Sequence, residues 1–190
     1  MNIYKQINNL SHALALQQPQ RGRGVRLLRP RPQRTDQGPS ANLLSTKEAL
    51  KIGCWNVRSF SSAAAQIALV KEFNRYSLDL VCITESRWCD TGESVVTDGE
   101  GHELKIFCSG GQNRHAGVAL VLGKRSADSL RYFESVTDRI AIAELTAKPV
   151  PLVCVVCYAL TECSNSSDKD DFYMTLDMQL TKLPRDRSVL

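Results

Sequence analysis

Three apolar runs in this chain each close on a polar residue: Ile52-Gly53-Cys54-Trp55-Asn56, Leu80-Val81-Cys82-Ile83-Thr84-Glu85 and Leu152-Val153-Cys154-Val155-Val156-Cys157-Tyr158. Runs this short cannot form a surface helix of ordinary length, and they fit strands buried on both faces. A buried strand that ends on Asn, Glu or Tyr places that side chain at the rim of a sheet, where open α/β sheets assemble their sites. The chain is therefore expected to be an α/β domain with its chemistry at strand ends.

The intervening sequence supports a strand-rich α/β pattern. Lys51–Val57 reads as a strand. Ser61-Ser62 reads as the cap of a helix over Ala63–Tyr76 with an apolar stripe of Ala63, Ile67, Val70 and Phe73. Asp79–Thr84 reads as a buried strand, and residues 86–101, polar and containing Gly, as loop. Further strands are expected over His102–Cys108, Ala116–Leu122, Leu130–Val136, Arg139–Thr146 and Leu152–Tyr158. A second helix is expected from Ser167/Asp168 to Leu183, with acids in its first turn and a stripe of Phe172, Leu176, Leu180 and Leu183. The sequence shows no internal repeat and no glycine signature of a dinucleotide or P-loop site.

Charge separates the first quarter from the rest. Residues 1–50 hold eight Lys/Arg against two acids, and residues 51–190 hold sixteen against eighteen. Residues 1–48 read as a disordered basic arm rich in Pro, Gly and Arg, a composition unable to bury a core. Any attraction to nucleic acid would act mainly through this arm. Its arginines, with no acid before Asp36, leave mitochondrial targeting open, and its prolines count against the amphipathic helix targeting needs. No continuous apolar segment resembles a secretory signal or a membrane span, so no membrane partner is expected. Seven cysteines, an odd number mostly in strand-like runs, point to free thiols and a reduced intracellular compartment, nuclear or cytoplasmic.

Glu85 is the most informative candidate. A carboxylate at a strand end offers an oxygen to a hard cation such as Mg²⁺; an ordinary ion pair with Arg87 is the plainer alternative. Asn56 could orient that carboxylate or meet a phosphate oxygen, or simply form a turn. Tyr158 could present its hydroxyl to a phosphate, or tie it to the backbone. Cys154 and Cys157 form a Cys-x-x-Cys, but residues three apart on a strand face opposite sides, which excludes joint zinc ligation. His12, His102 and His115 are isolated in the sequence.

Six stretches together resemble the endonuclease/exonuclease/phosphatase superfamily, and within it the endonuclease domains of non-LTR retrotransposons and craniofacial development protein 2-like proteins. They are Lys51–Ser59 (KIGCWNVRS), Asp79–Trp88 (DLVCITESRW), Gly117–Leu122, Asp138-Arg139-Ile140, Tyr158-Ala159-Leu160-Thr161 and Asp170-Asp171-Phe172-Tyr173. The resemblance implies a four-layer α/β/β/α sandwich and metal-assisted hydrolysis of DNA phosphodiesters, with Mg²⁺, or Mn²⁺ in its place, as cofactor. It implies Glu85 as the metal carboxylate, Asn56 and Tyr158 as catalytic groups, and Thr161 as a contact to the substrate phosphate.

Two departures qualify that expectation. Leu160 stands where the family has proline, and the family's Gly-Asp-Phe-Asn and Ser-Asp-His motifs are absent. On this reading residues 49–190 form the N-terminal part of such a domain, inactive as it stands, with DNA as partner once the domain is complete. The alternatives are a non-catalytic, transposon-derived remnant that binds metal or nucleic acid weakly, and a member of the same superfamily acting on an inositol phosphate or phospholipid. Oligomeric state and DNA preference have no sequence signature here.

Overall fold

The computed structural model describes residues 44–190 other than 46, 61, 89 and 112–115. The expectations for the basic arm up to residue 43, and for Ser61, Cys89, His12 and His115, lie outside the described residues.

The chain forms β1 (Leu44–Ser45), β2 (Ile52–Asn56), α1 (Ala63–Arg75), β3 (Leu80–Thr84), β4 (Gly92–Thr97), β5 (Glu103–Cys108), β6 (Val118–Leu122), α2 (Lys124–Asp128) and β7 (Leu130–Thr137). It continues through β8 (Ile140–Leu145), β9 (Ala147–Lys148), β10 (Leu152–Cys157), α3 (Ser166–Lys182) and β11 (Ser188–Val189). Five strands join in the order β2-β3-β6-β5-β4, four in the order β11-β10-β8-β7, and β1 pairs with β9.

Side-chain alternation divides the interior into two cores. Leu80, Val118, Leu120 and Leu122 of the five-stranded sheet meet Ala141, Ala143, Leu145, Leu152, Cys154 and Val156 of the four-stranded sheet. Alternate residues of the first sheet (Val81, Ile83, Ala119, Val121) face the other way, onto Leu69, Val70 and Phe73 of α1. Ile140, Ile142 and Val153, on the far face of the second sheet, are also fully or nearly fully buried. Two facing sheets with helices around them give the α/β sandwich that the sequence suggests. Burying a large aliphatic side chain contributes roughly 1.5–3 kcal/mol, so these layers dominate the stability.

The pairing register sets up one rim. β2 and β3 are parallel, with Asn56 opposite Thr84. β6 runs antiparallel to β3, with Val118 opposite Thr84. The residues after β2 and β3 and before β6 therefore share one end of the first sheet. In the second sheet Ile140 lies opposite Cys157, so Arg139 and Tyr158 share an end.

Several expectations need correction. Residues 92–97, read as loop, form β4 on the edge of the five-stranded sheet. Of the expected stripe of α1, Val70 and Phe73 are buried, joined by Leu69, whereas Ala63 is exposed and Ile67 is 39% exposed. α3 begins at Ser166 and buries only Phe172, with Leu180 exposed. Leu44 of β1, ahead of the boundary expected at 49, is buried in the core between the sheets.

Candidate functional site

The three residues that close the apolar runs converge. Asn56 ends β2, Glu85 follows β3 and Tyr158 follows β10. The Asn56 Nδ2 amide donates to Glu85 Oε1 at 2.6 Å, and the Tyr158 hydroxyl donates to the same oxygen at 2.9 Å. The alternatives raised by the sequence are partly realised as well. Asn56 Oδ1 accepts from the Arg58 N–H at 3.3 Å, a turn-forming bond. Arg87 lies 3.7 Å from Glu85 Oε2, an ion pair but not a hydrogen bond. The Tyr158 hydroxyl is on Glu85 rather than on the backbone.

These contacts set the charge of the site. Partial burial by itself would raise the Glu85 carboxyl; the hydrogen bonds from Asn56 and Tyr158, with Arg87 and Arg58 nearby, outweigh it and hold the carboxyl below its usual range. Burial raises the Tyr158 phenol, as do its hydrogen bond to Glu85 and the nearby Glu85 charge, and Arg139 acts in the opposite direction. At neutral pH the pair is thus a carboxylate accepting from a neutral phenol.

The backbone at the site is unusual. Arg58, Glu85 and Arg87 adopt φ of 54°, 55° and 53°, three of the four positive-φ non-glycine residues among the described residues. Such positions cost about 1–3 kcal/mol and persist where surrounding structure holds them. Here the hold is visible: Ser86 N donates to Gly117 O at 3.0 Å, Arg87 N to Ala116 O at 3.1 Å, and Phe60 N to Ser86 O at 2.9 Å. Gly117 itself has φ +101°, and a Cβ there would stand 2.5 Å from Ser86 Oγ. Only glycine fits this close approach.

Thr161 is not part of this cluster. It lies three residues beyond Tyr158, exposed, with its hydroxyl 3.3 Å from Ser164 Oγ. Arg139 belongs to the site and was not anticipated as a site residue: its guanidinium lies 4.9 Å from the Tyr158 ring centroid and donates to the Tyr158 carbonyl at 3.2 Å. Sequence carries no sign of this contact, because the two residues are nineteen positions apart and meet only through the pairing of β8 with β10.

The donor set fits a hard cation. Glu85 is ionised, one of its oxygens is oriented by two donors, and the other lies 3.7 Å from Arg87. Asn56 adds an amide oxygen, and hard divalent cations take oxygen ligands of this kind. A different group, Asp98, Glu100 and His102, also brings its ligand atoms within 4.8 Å of one another. It occupies the β4–β5 turn, at the other end of the five-stranded sheet, since Lys105 lies opposite Leu122 and Cys108 opposite Ala119. Asp98 serves as the anchor of that turn, accepting from the backbone of Glu100 at 2.8 Å and contacting His102 Nδ1 at 2.6 Å. Cys154 and Cys157 do not come together; the Cys154 thiol instead lies 3.6 Å from that of Cys82 across the two sheets.

No family model matches the chain. It is 28% identical over 148 residues to craniofacial development protein 2 of Bos taurus, covering 78% of this chain and 24% of that protein. The protein of the same name from Tragulus javanicus is 27% identical over 145 residues, 76% of this chain and 24% of the relative. The chain thus spans about a quarter of the length of the curated relatives it matches. Among solved structures, humanized D. rerio TDP2 superposes with a TM-score of 0.51 at 14% identity, over 74% of this chain and 63% of that one.

Proposed function

We propose that this chain, which shares the endonuclease/exonuclease/phosphatase fold, is the metal-binding and phosphate-facing portion of a divalent-cation-dependent phosphodiester hydrolase of the DNA endonuclease type. The observation that carries the reading is the meeting of Asn56 and Tyr158, from different sheets, on one oxygen of an ionised Glu85. Mg²⁺, or Mn²⁺ in its place, suits the oxygen donors of Glu85 and Asn56. When bound, such a cation supplies Lewis-acid polarisation of a phosphate oxygen.

The chain's own residues do the rest. Asn56 and Tyr158 fix the carboxylate through one oxygen, so it needs little reorganisation on binding. Arg87, 38% exposed and only loosely paired, offers positive charge to a phosphate. The exposed Thr161 hydroxyl offers a further phosphate contact along the segment that leaves Tyr158.

A binding-only role for residues 1–190 is favoured by one specific observation. Among the described residues, the groups acting on Glu85 are Asn56, Tyr158, Arg87 and Arg58, with no second carboxylate and no histidine among them. General acid–base catalysis typically contributes roughly 10²–10⁴-fold, and the described site holds no base to supply it. Residues 1–190 are therefore expected to bind DNA in a Mg²⁺-dependent way with hydrolysis near background.

Supercoiled plasmid and a labelled duplex test this together. The expected result is Mg²⁺-dependent duplex binding, lost in Glu85→Gln, with little nicking. Rapid Mg²⁺-dependent nicking abolished by Glu85→Gln would show that the residues here suffice for turnover. Absence of any Mg²⁺-dependent binding would sink the reading.

A further inference from the structure

We propose that Arg139 is a positioning residue for Tyr158, fixing both its ring and its main chain so that the hydroxyl meets Glu85. The inference rests on the reading of Glu85 and Tyr158 given above, and assigns a task to a residue outside that pair.

Three contacts carry it. The Tyr158 N–H donates to the Arg139 carbonyl at 2.9 Å. The Arg139 guanidinium donates back to the Tyr158 carbonyl at 3.2 Å. The same guanidinium lies over the Tyr158 ring, 4.9 Å from its centroid, within the range of a cation–π contact. Peptide and ring of Tyr158 are thus held by one residue. Tyr158 lies just past the end of β10, and its backbone bond to Arg139 continues the pairing of β10 with β8 by one residue.

Arg139 is itself fastened to the other side of the site. It sits in the Asp138-Arg139 turn between β7 and β8, and its N–H donates to Thr137 Oγ1 at 3.1 Å. The Asp138 carbonyl accepts from Gly117 N at 2.9 Å. The Gly117 carbonyl accepts from Ser86 N at 3.0 Å, next to Glu85. A continuous path of hydrogen bonds therefore runs from the Glu85 segment through Gly117 and the turn to Arg139 and Tyr158. It ties together the two sheets that carry the donor and acceptor of the Tyr158–Glu85 bond. The planar guanidinium suits this task because it can stack on a ring and donate in its own plane at once, which an ammonium cannot.

The deciding experiment follows the Tyr158 ring by NMR in tyrosine-ring-labelled protein without metal or DNA, with the signal assigned through Tyr158→Phe. Arg139→Ala should speed Tyr158 ring flips by about tenfold or more, the effect expected from losing one ordinary contact. Arg139→Lys, which keeps the charge and loses the fork, should recover part of the change. Ser126→Ala, which removes a buried hydrogen bond to the Asp79 carbonyl at the other end of β3, should leave the ring rate unchanged, separating positioning from general loss of structure. If Arg139→Ala unfolds, Arg139→Gln is read in its place. An unchanged Tyr158 ring rate in the folded Arg139 variant, or an equal change in Ser126→Ala, would overturn the proposal. Because no substrate is present, this result is independent of whether the chain proves to be a metal-dependent DNA-binding domain.

Discussion

The Tyr158 hydroxyl reaches Glu85 Oε1 across 2.9 Å, although the two residues belong to different sheets. With Asn56 donating to the same oxygen at 2.6 Å, the carboxylate is oriented from both layers of the sandwich. The site therefore reports on how the sheets face each other, and changes in either sheet should be felt there.

The first prediction concerns pH. The folded-state value of Glu85 is lowered, so its contribution to stability is present above the unfolded carboxyl value of about 4.3. It is lost as pH falls through the lowered folded value. The Tm difference between wild type and Glu85→Gln should be full at pH 6–7, narrow below about pH 4 and disappear in stronger acid. A difference that grew on acidification would contradict the sign argued here.

Gly117 should tolerate no side chain. A Cβ at this position would meet Ser86 Oγ at 2.5 Å and Arg87 N at 3.2 Å while φ stays at +101°. Gly117→Ala should cost at least about 2 kcal/mol and disturb Glu85, since the same glycine holds Ser86 and the Asp138 turn. Urea unfolding measures the loss, and a change under about 0.5 kcal/mol, the usual size for an inconsequential surface substitution, would refute it.

Ser77 offers the opposite case. α1 ends with Leu78 N donating to Phe73 O and Ser77 N to Asn74 O, while Ser77 has φ 51°. This is the Schellman arrangement, in which glycine is the usual residue at that position. Ser77→Gly should stabilise the domain by up to about 1 kcal/mol without affecting the site, raising Tm in a thermal melt. A lowered Tm would contradict this.

The legible parts of the molecule are those written in short-range pattern. Glu85 and Tyr158 stood out because a polar residue at the end of a buried strand has nowhere to go but the rim. Asn56 ends β2, which was expected to be buried but lies at the sheet edge with no buried residue, and reaches the same rim through its parallel register with β3. β4 was missed because an edge hairpin strand needs little apolar sequence; only Val96 of its six residues is buried. Its hints were Val95-Val96-Thr97 followed by Asp98-Gly99, a β-branched run before a turn. The stripe of α3 failed because helical spacing permits burial without providing a surface to bury against; Leu180 is 42% exposed. Arg139 stood in one of the six family-like stretches, but its role was not legible because it depends on a cross-strand neighbour.

A fourth prediction concerns Glu144. This nearly buried carboxylate on β8 pairs with Arg131 from β7 and lies 3.5 Å from Arg187 Nε, just ahead of β11. Glu144→Ala would remove a bond between strands and leave the mostly buried Arg187 with poorer compensation. Arg131 is half exposed, which screens its share, so a loss of about 2 kcal/mol is expected. Hydrogen exchange at Leu190 N, which donates to Val153 O, should also quicken. Unaltered stability and exchange would show that the cluster contributes nothing.

The central claim is that Glu85, oriented by Asn56 and Tyr158, is the seat of a divalent cation. Titrating the protein with Mn²⁺ and following free metal by electron paramagnetic resonance tests it most directly, using wild type, Glu85→Gln and Asp98→Asn. The account predicts a site whose affinity falls at least about tenfold in Glu85→Gln, as loss of a charged ligand worth ~1.4 kcal/mol or more requires, and is unchanged in Asp98→Asn. Equal affinity in wild type and Glu85→Gln, or loss of binding in Asp98→Asn alone, would contradict it.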